Sequence, residues 1–71
     1  MGTKSGKEVK RIMVENGWVV DTSEGSHFQM IHPDHPELGK VTVPIHGNQD
    51  LPVGTFGSIK RQTGLKFRDG K

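Results

Sequence analysis

The sequence predicts a small α+β domain of order α-β-β-β-α, with one three-stranded antiparallel sheet and two helices on one of its faces. Three observations carry that prediction. A stretch of helical periodicity lies near each end of the chain. Three short runs between them alternate apolar and polar residues at a period of two. The length, 71 residues, allows one domain over residues 1–71, with a core spanning about 5–65. A chain this short buries only roughly 60% of the surface that its unfolded form exposes, so the core must be thin.

The elements follow in order. Ser5-Gly6-Lys7-Glu8 has the form of a capping box, with Ser5 as N-cap and Glu8 reaching back. Val9, Ile12 and Met13 then recur at helical spacing, and Gly17 stands where the helix should stop. Residues 18–22 read as a strand, 23–26 as a polar turn and 27–32 as a second strand. Two prolines and a glycine make 33–39 a loop before a third strand over 40–44. After a loop over 45–50, Pro52 suits a helix start, and Val53, Phe56 and Ile59 follow at intervals of three. Gly64 ends that helix, with Lys60 and Arg61 in its last turn. Residues 66–71 read as a mobile basic tail, with Leu65 and Phe67 docked ahead of it or at its root. If Trp18, Val20, Phe28, Met30, Val41 and Val43 form the covered face, alternation sends His27, Gln29 and Thr42 to the open one.

Composition excludes several function classes. With no cysteine there is neither a disulfide scaffold nor a thiolate zinc site, which fits a reducing cytoplasm. No apolar run is long enough to span a membrane or to serve as a secretory leader, so a cytoplasmic location is expected. The net charge of +2 only permits a polyanionic partner, and its distribution says more. Basic residues gather in two places, from Lys4 to Arg11 and from Lys60 onwards. Lys7, Lys10 and Arg11 share one helix face, and with Lys60 and Arg61 they are candidates to grip phosphates. A solvated helix face is the plainer account of the same pattern.

The histidines are the other chemistry-bearing residues. His32, Asp34, His35 and His46 are metal-ligand types, but Pro33 and Pro36 set them in a turn without a recognised ligand spacing. No metal and no cofactor are expected. Trp18 can stack a base, but its size and its Val-Val neighbours suit the core better.

Taken in order, Asn16-Gly17-Trp18 after a short basic helix, Gly25-Ser26-His27 opening a strand, His32-Pro33-Asp34, Val41-Thr42-Val43-Pro44 and Gly54-Thr55 resemble the HicA toxin family. The resemblance runs from about Gly6 to Leu65. It implies a fold like the double-stranded-RNA-binding domain and the activity of a messenger-RNA interferase from a bacterial toxin–antitoxin pair. It also implies that His27 is required for RNA cleavage, and that a HicB-type antitoxin binds the protein and blocks the His27 surface. The protein is then expected to be a monomer when free and a hetero-oligomer with its antitoxin.

The chemistry of His27 suits that role. RNA is cut without a metal when a base takes the 2′-hydroxyl proton and an acid protonates the leaving oxygen. Histidine, with an ordinary pKa of ~6.5, serves as either near neutral pH. Gly25 lets a phosphate approach the backbone, and the Ser26 hydroxyl can hydrogen-bond it. For the second proton transfer His46, His35, Lys40 and a substrate-bound water all remain open. Two rival functions stand beside this one: a non-catalytic RNA-binding module, and a protein-interaction module using the open sheet face.

Overall fold

A computed structural model describes residues 3–67. The first helix, α1 (Gly6–Glu15), begins where Ser5 Oγ accepts the Glu8 N–H at 3.2 Å. Only half of the expected capping box forms, because the Glu8 carboxylate turns to Arg11 instead of back to Ser5. At the other end Trp18 N–H donates to the Met13 carbonyl and Gly17 N–H to that of Val14, at 3.0 and 3.1 Å. This is a Schellman closure, and it needs Gly17 at a φ of 99°. The closure also brings Trp18 against the buried face of the helix it ends, where Val9, Ile12 and Met13 lie.

Three antiparallel strands follow in the spatial order β1 (Val19–Glu24), β2 (His27–Ile31) and β3 (Val41–Pro44). Within the expected loop, Pro36–Leu38 form one 3₁₀ turn. The second helix, α2 (Val53–Thr63), buries Phe56, Ile59 and Thr63 and is closed by Gly64. Met30, Val41 and Val43 from the sheet join Trp18, the α1 residues, Leu51, Phe56, Ile59 and Phe67 in one cluster. Both helices therefore cover the same face of the sheet, as expected. Among the described residues no helix is long and apolar enough to cross a membrane.

The first strand departs from expectation. It starts at Val19 and runs through Ser23 and Glu24, which the sequence placed in a turn. Trp18 is buried as expected, but Val20 is 41% exposed and every residue of β1 is open to solvent. The reason lies in the layering: both helices pack chiefly on β3, which leaves β1, at the far edge, open to solvent. A register shift between Val20 and Thr22 bends this edge further, a device that discourages pairing with other chains. Phe28 is half-buried rather than fully covered, with the Lys10 ammonium 5.4 Å from its ring centre. Leu65 and Phe67 do pack on the core. The expected mobility of the tail beyond them lies outside the described residues.

Candidate active site

His27 owes its position to a hairpin. Glu24 pairs with His27, leaving Gly25 and Ser26 as a two-residue loop. Gly25 has a φ of 58° and Ser26 a negative φ, the pattern of a II′ turn, whose twist matches the strands it joins. A Cβ built on Gly25 would meet nothing within 4 Å, so the space before its backbone is open. Cross-strand pairing puts Glu24, His27 and Pro44 on the uncovered face, followed by Thr22, Gln29 and Thr42. His27 is exposed there, as alternation predicts.

The neighbour of His27 is His46, whose ring centre is 6.3 Å away and whose plane is turned by 88°. Backbone bonds hold it there. Ile45 N–H donates to the Ser26 carbonyl at 2.7 Å, carrying the β2–β3 pairing one step beyond Pro44. Gln49 N–H closes a turn onto the His46 carbonyl at 3.0 Å. Beyond that turn Ser5 bridges to Asp50, and Leu51 N–H donates to the Lys4 carbonyl at 2.9 Å. Both His27 and His46 are exposed, and among the described residues neither ring has a hydrogen-bond partner.

Gly6 completes this arrangement, and nothing in the sequence marks it beyond its place in a capping motif. An added Cβ would lie 2.1 Å from the Pro44 carbonyl oxygen and 3.0 Å from Ile45 Cγ1. Alanine favours a helix over glycine by about 1 kcal/mol. Here the clash wins, because its partner is backbone and no rotamer relieves it. Gly6→Ala is expected to lose about 1–3 kcal/mol of stability, the usual range for overpacking, and to displace the 44–46 segment. A thermal melt that coincides with that of the wild type would refute this.

The other candidates divide between the two ends of the sheet. Lys7 is exposed on the first turn of α1, and Lys10 lies over Phe28, the residue after His27. Arg11 is held between Glu8 and Glu15, with 2.7 Å to the latter. Its hydrogen bond holds the Glu8 carboxyl below the usual carboxylate range, and Glu8 in turn raises the Arg11 guanidinium. Its charge is thus engaged within its own helix. Lys60 sits over the Phe56 ring at 4.8 Å, and Arg61 donates to Ser58 Oγ. Their turn of α2 adjoins Lys40, where Gln62 Nε2 reaches the Lys40 carbonyl at 3.5 Å. Lys40 is four residues from Pro44, roughly 13 Å along the strand, so the structure does not bring Lys60 and Arg61 to His27.

The remaining proposed partners are occupied elsewhere. Lys40 Nζ is 3.3 Å from Asp21, and His35 Nδ1 is 3.2 Å from Glu37. His32 bonds the Asn16 carbonyl through Nε2 and accepts the Asp34 N–H at Nδ1, which makes it the neutral Nε2–H tautomer. Its ring stands edge-on to Trp18 at 5.4 Å. It is therefore a structural histidine that seals the end of α1. Among the described residues no three His, Asp or Glu side chains converge on a point that could hold a metal ion. Two clefts of about 330 and 420 Å³ flank His32, both at the end of the sheet away from His27.

Compared with known protein families, the chain matches over residues 6–65 the family described as HicA toxin of bacterial toxin-antitoxin. No curated protein matches the chain.

Proposed function

The chain belongs to the HicA toxin family of bacterial toxin–antitoxin systems, and from that premise we propose that it is an endoribonuclease that cleaves messenger RNA and so arrests translation and growth. The observation that supports this reading most is the state of His27. It lies in the Gly25-Ser26-His27 stretch on which the resemblance rests, stands exposed beside an open glycine turn, and has no hydrogen bond to a neighbour among the described residues. A histidine with a packing role is engaged, as His32 is. His27 is held in place by strand pairing and left free at its ring, which suits proton transfer to an incoming ligand. The reaction in this reading needs no metal, acts in the cytoplasm, and is silenced when a HicB-type antitoxin covers the His27 surface.

Phosphate contacts supply affinity without choosing sequence, and each one adds to the salt dependence of binding. Lys10 lies over Phe28, the residue after His27, and Lys7 is one turn earlier on the same helix, with Gly25 and Ser26 on the hairpin beside His27. Lys60 and Arg61 meet only an RNA long enough to cross to the other end, and Arg11 contributes least because Glu8 and Glu15 neutralise it. For a short oligonucleotide, combining Lys7→Gln with Lys10→Gln should flatten the slope of log K against log salt by about 1.4, at roughly 0.7 per phosphate contact. Titration of wild type and variant at several salt concentrations checks this, and equal slopes would remove both lysines from the interface.

Induced expression of the wild type and of His27→Ala tests the function itself. The wild type should stop growth with decay of messenger RNA, and the variant should do neither. Purified protein that binds RNA without cutting it would instead make this an RNA-binding module.

A further inference from the structure

We propose that His46 is the second proton-transfer group of the site, so that His27 and His46 together cut RNA by transfer onto its own 2′-oxygen. This rests on the endoribonuclease reading above and adds the missing partner and the products.

The geometry isolates His46 from the alternatives. Of the side chains that could complement His27, Lys40 is paired with Asp21 and His35 with Glu37, both towards the other end of the sheet. His46 faces His27 at 6.3 Å between ring centres. The two rings are far enough apart that they share no hydrogen bond. They are near enough for one phosphodiester to lie within the ~3 Å reach that proton transfer requires of each. Glu24, the cross-strand partner of His27 on the same face, makes no ion pair with either ring among the described residues. The backbone under both histidines is tied by the Ile45–Ser26 bond, the His46–Gln49 turn and the close seat of Gly6. A pair held in this way starts near its working geometry.

In-line displacement at phosphorus explains why two groups are needed. The entering and leaving oxygens stand on opposite sides of the phosphorus, so one imidazole cannot serve both in the same step. The neutral histidine takes the 2′-hydroxyl proton as the 2′-oxygen forms a bond to phosphorus. The bond from phosphorus to the 5′-oxygen breaks, its electron pair departs with that oxygen, and the protonated histidine supplies the proton. The products are a 2′,3′-cyclic phosphate and a 5′-hydroxyl. Nothing is oxidised or reduced, and no water enters the bond-breaking step. The pair ends with its protons exchanged, and exposure of both rings lets solvent reset them.

The test uses a short RNA that the wild type cuts at one linkage, the same RNA with sulfur replacing the bridging 5′-oxygen there, and a third with a 2′-deoxy sugar there. His46→Ala should cut the unmodified RNA about 10²–10⁴-fold more slowly than wild type. A thiolate leaves without protonation, so the sulfur-bridged RNA should restore near-wild-type cleavage in whichever of His46→Ala and His27→Ala lacks the acid. A merely structural role for His46 would not respond to that sulfur. The wild type should leave a cyclic phosphate and spare the 2′-deoxy linkage. His46→Ala cutting at the wild-type rate, rescue of neither variant, or cleavage of the 2′-deoxy linkage would each overturn the inference while leaving the ribonuclease reading intact. A wild type that cuts none of these RNAs would overturn both.

Discussion

His27→Ala is expected to slow RNA cleavage by about 10²–10⁴-fold, the range supplied by one positioned acid or base, with a melting temperature within about 4 °C of wild type. The two halves of this expectation have separate physical grounds. The ring of His27 is exposed and bonds to no described neighbour, so its loss removes no core packing and orphans no buried polar group. Surface changes of that kind alter stability by no more than about 0.5 kcal/mol. RNA binding should persist as well, because Lys7 and Lys10 are untouched and phosphate contacts dominate affinity. The loss should therefore appear in kcat, with KM nearly constant, as it does when an interaction made only in the transition state is removed. Combining the change with His46→Ala should add little, since groups acting in one step do not contribute additively. Single-turnover cleavage by purified protein, beside a thermal melt, decides the matter. Equal rates for the two matched preparations would sink the role assigned to His27.

Trp18→Ala should be the most damaging single change to the fold. Trp18 is 2% exposed and is among the largest fully buried side chains. It packs with the core while its backbone N–H closes α1 onto Met13, and His32 stands edge-on to its ring. Truncating a buried aromatic removes about 3–5 kcal/mol. At roughly 0.05–0.15 kcal/mol per residue, the whole domain has only about 4–10 kcal/mol to lose. The variant should melt more than about 10 °C below wild type, or be largely unfolded, given 4–8 °C per kcal/mol for a domain of this size. Its toxicity on induction should fall for lack of folded protein, in contrast to His27→Ala, which stays folded and silent. A melting temperature within a few degrees of wild type would show that the thin core does not depend on this residue.

Much of this was legible along the chain. Ser5, Val9, Ile12, Met13 and Gly17 marked α1, and Phe56, Ile59 and Gly64 marked α2, because caps and helical periodicity act within one or two turns. The covered residues Met30, Val41 and Val43 and the exposed His27 followed from alternation alone. Val20 did not. Alternation reports which side of a strand a residue faces, and whether anything lies over that side depends on where the helices dock. The extension of β1 through Ser23 and Glu24 was hidden for a related reason: a two-residue turn at Gly25 and Ser26 lets polar residues pair that composition alone assigns to a loop.

The candidate site divides in the same way. The sequence by itself determined that a histidine would open the second strand behind a glycine, because the turn, the strand and the outward face are all settled by neighbouring residues. Only the tertiary structure decided that His46 faces that histidine, that Gly6 seats the segment carrying it, and that Lys60 and Arg61 end up elsewhere. Those outcomes depend on a backbone bond from Ile45 to Ser26 and on glycine meeting the Pro44 carbonyl. Backbone groups are the same at every residue, so no side-chain pattern announces which of them will meet.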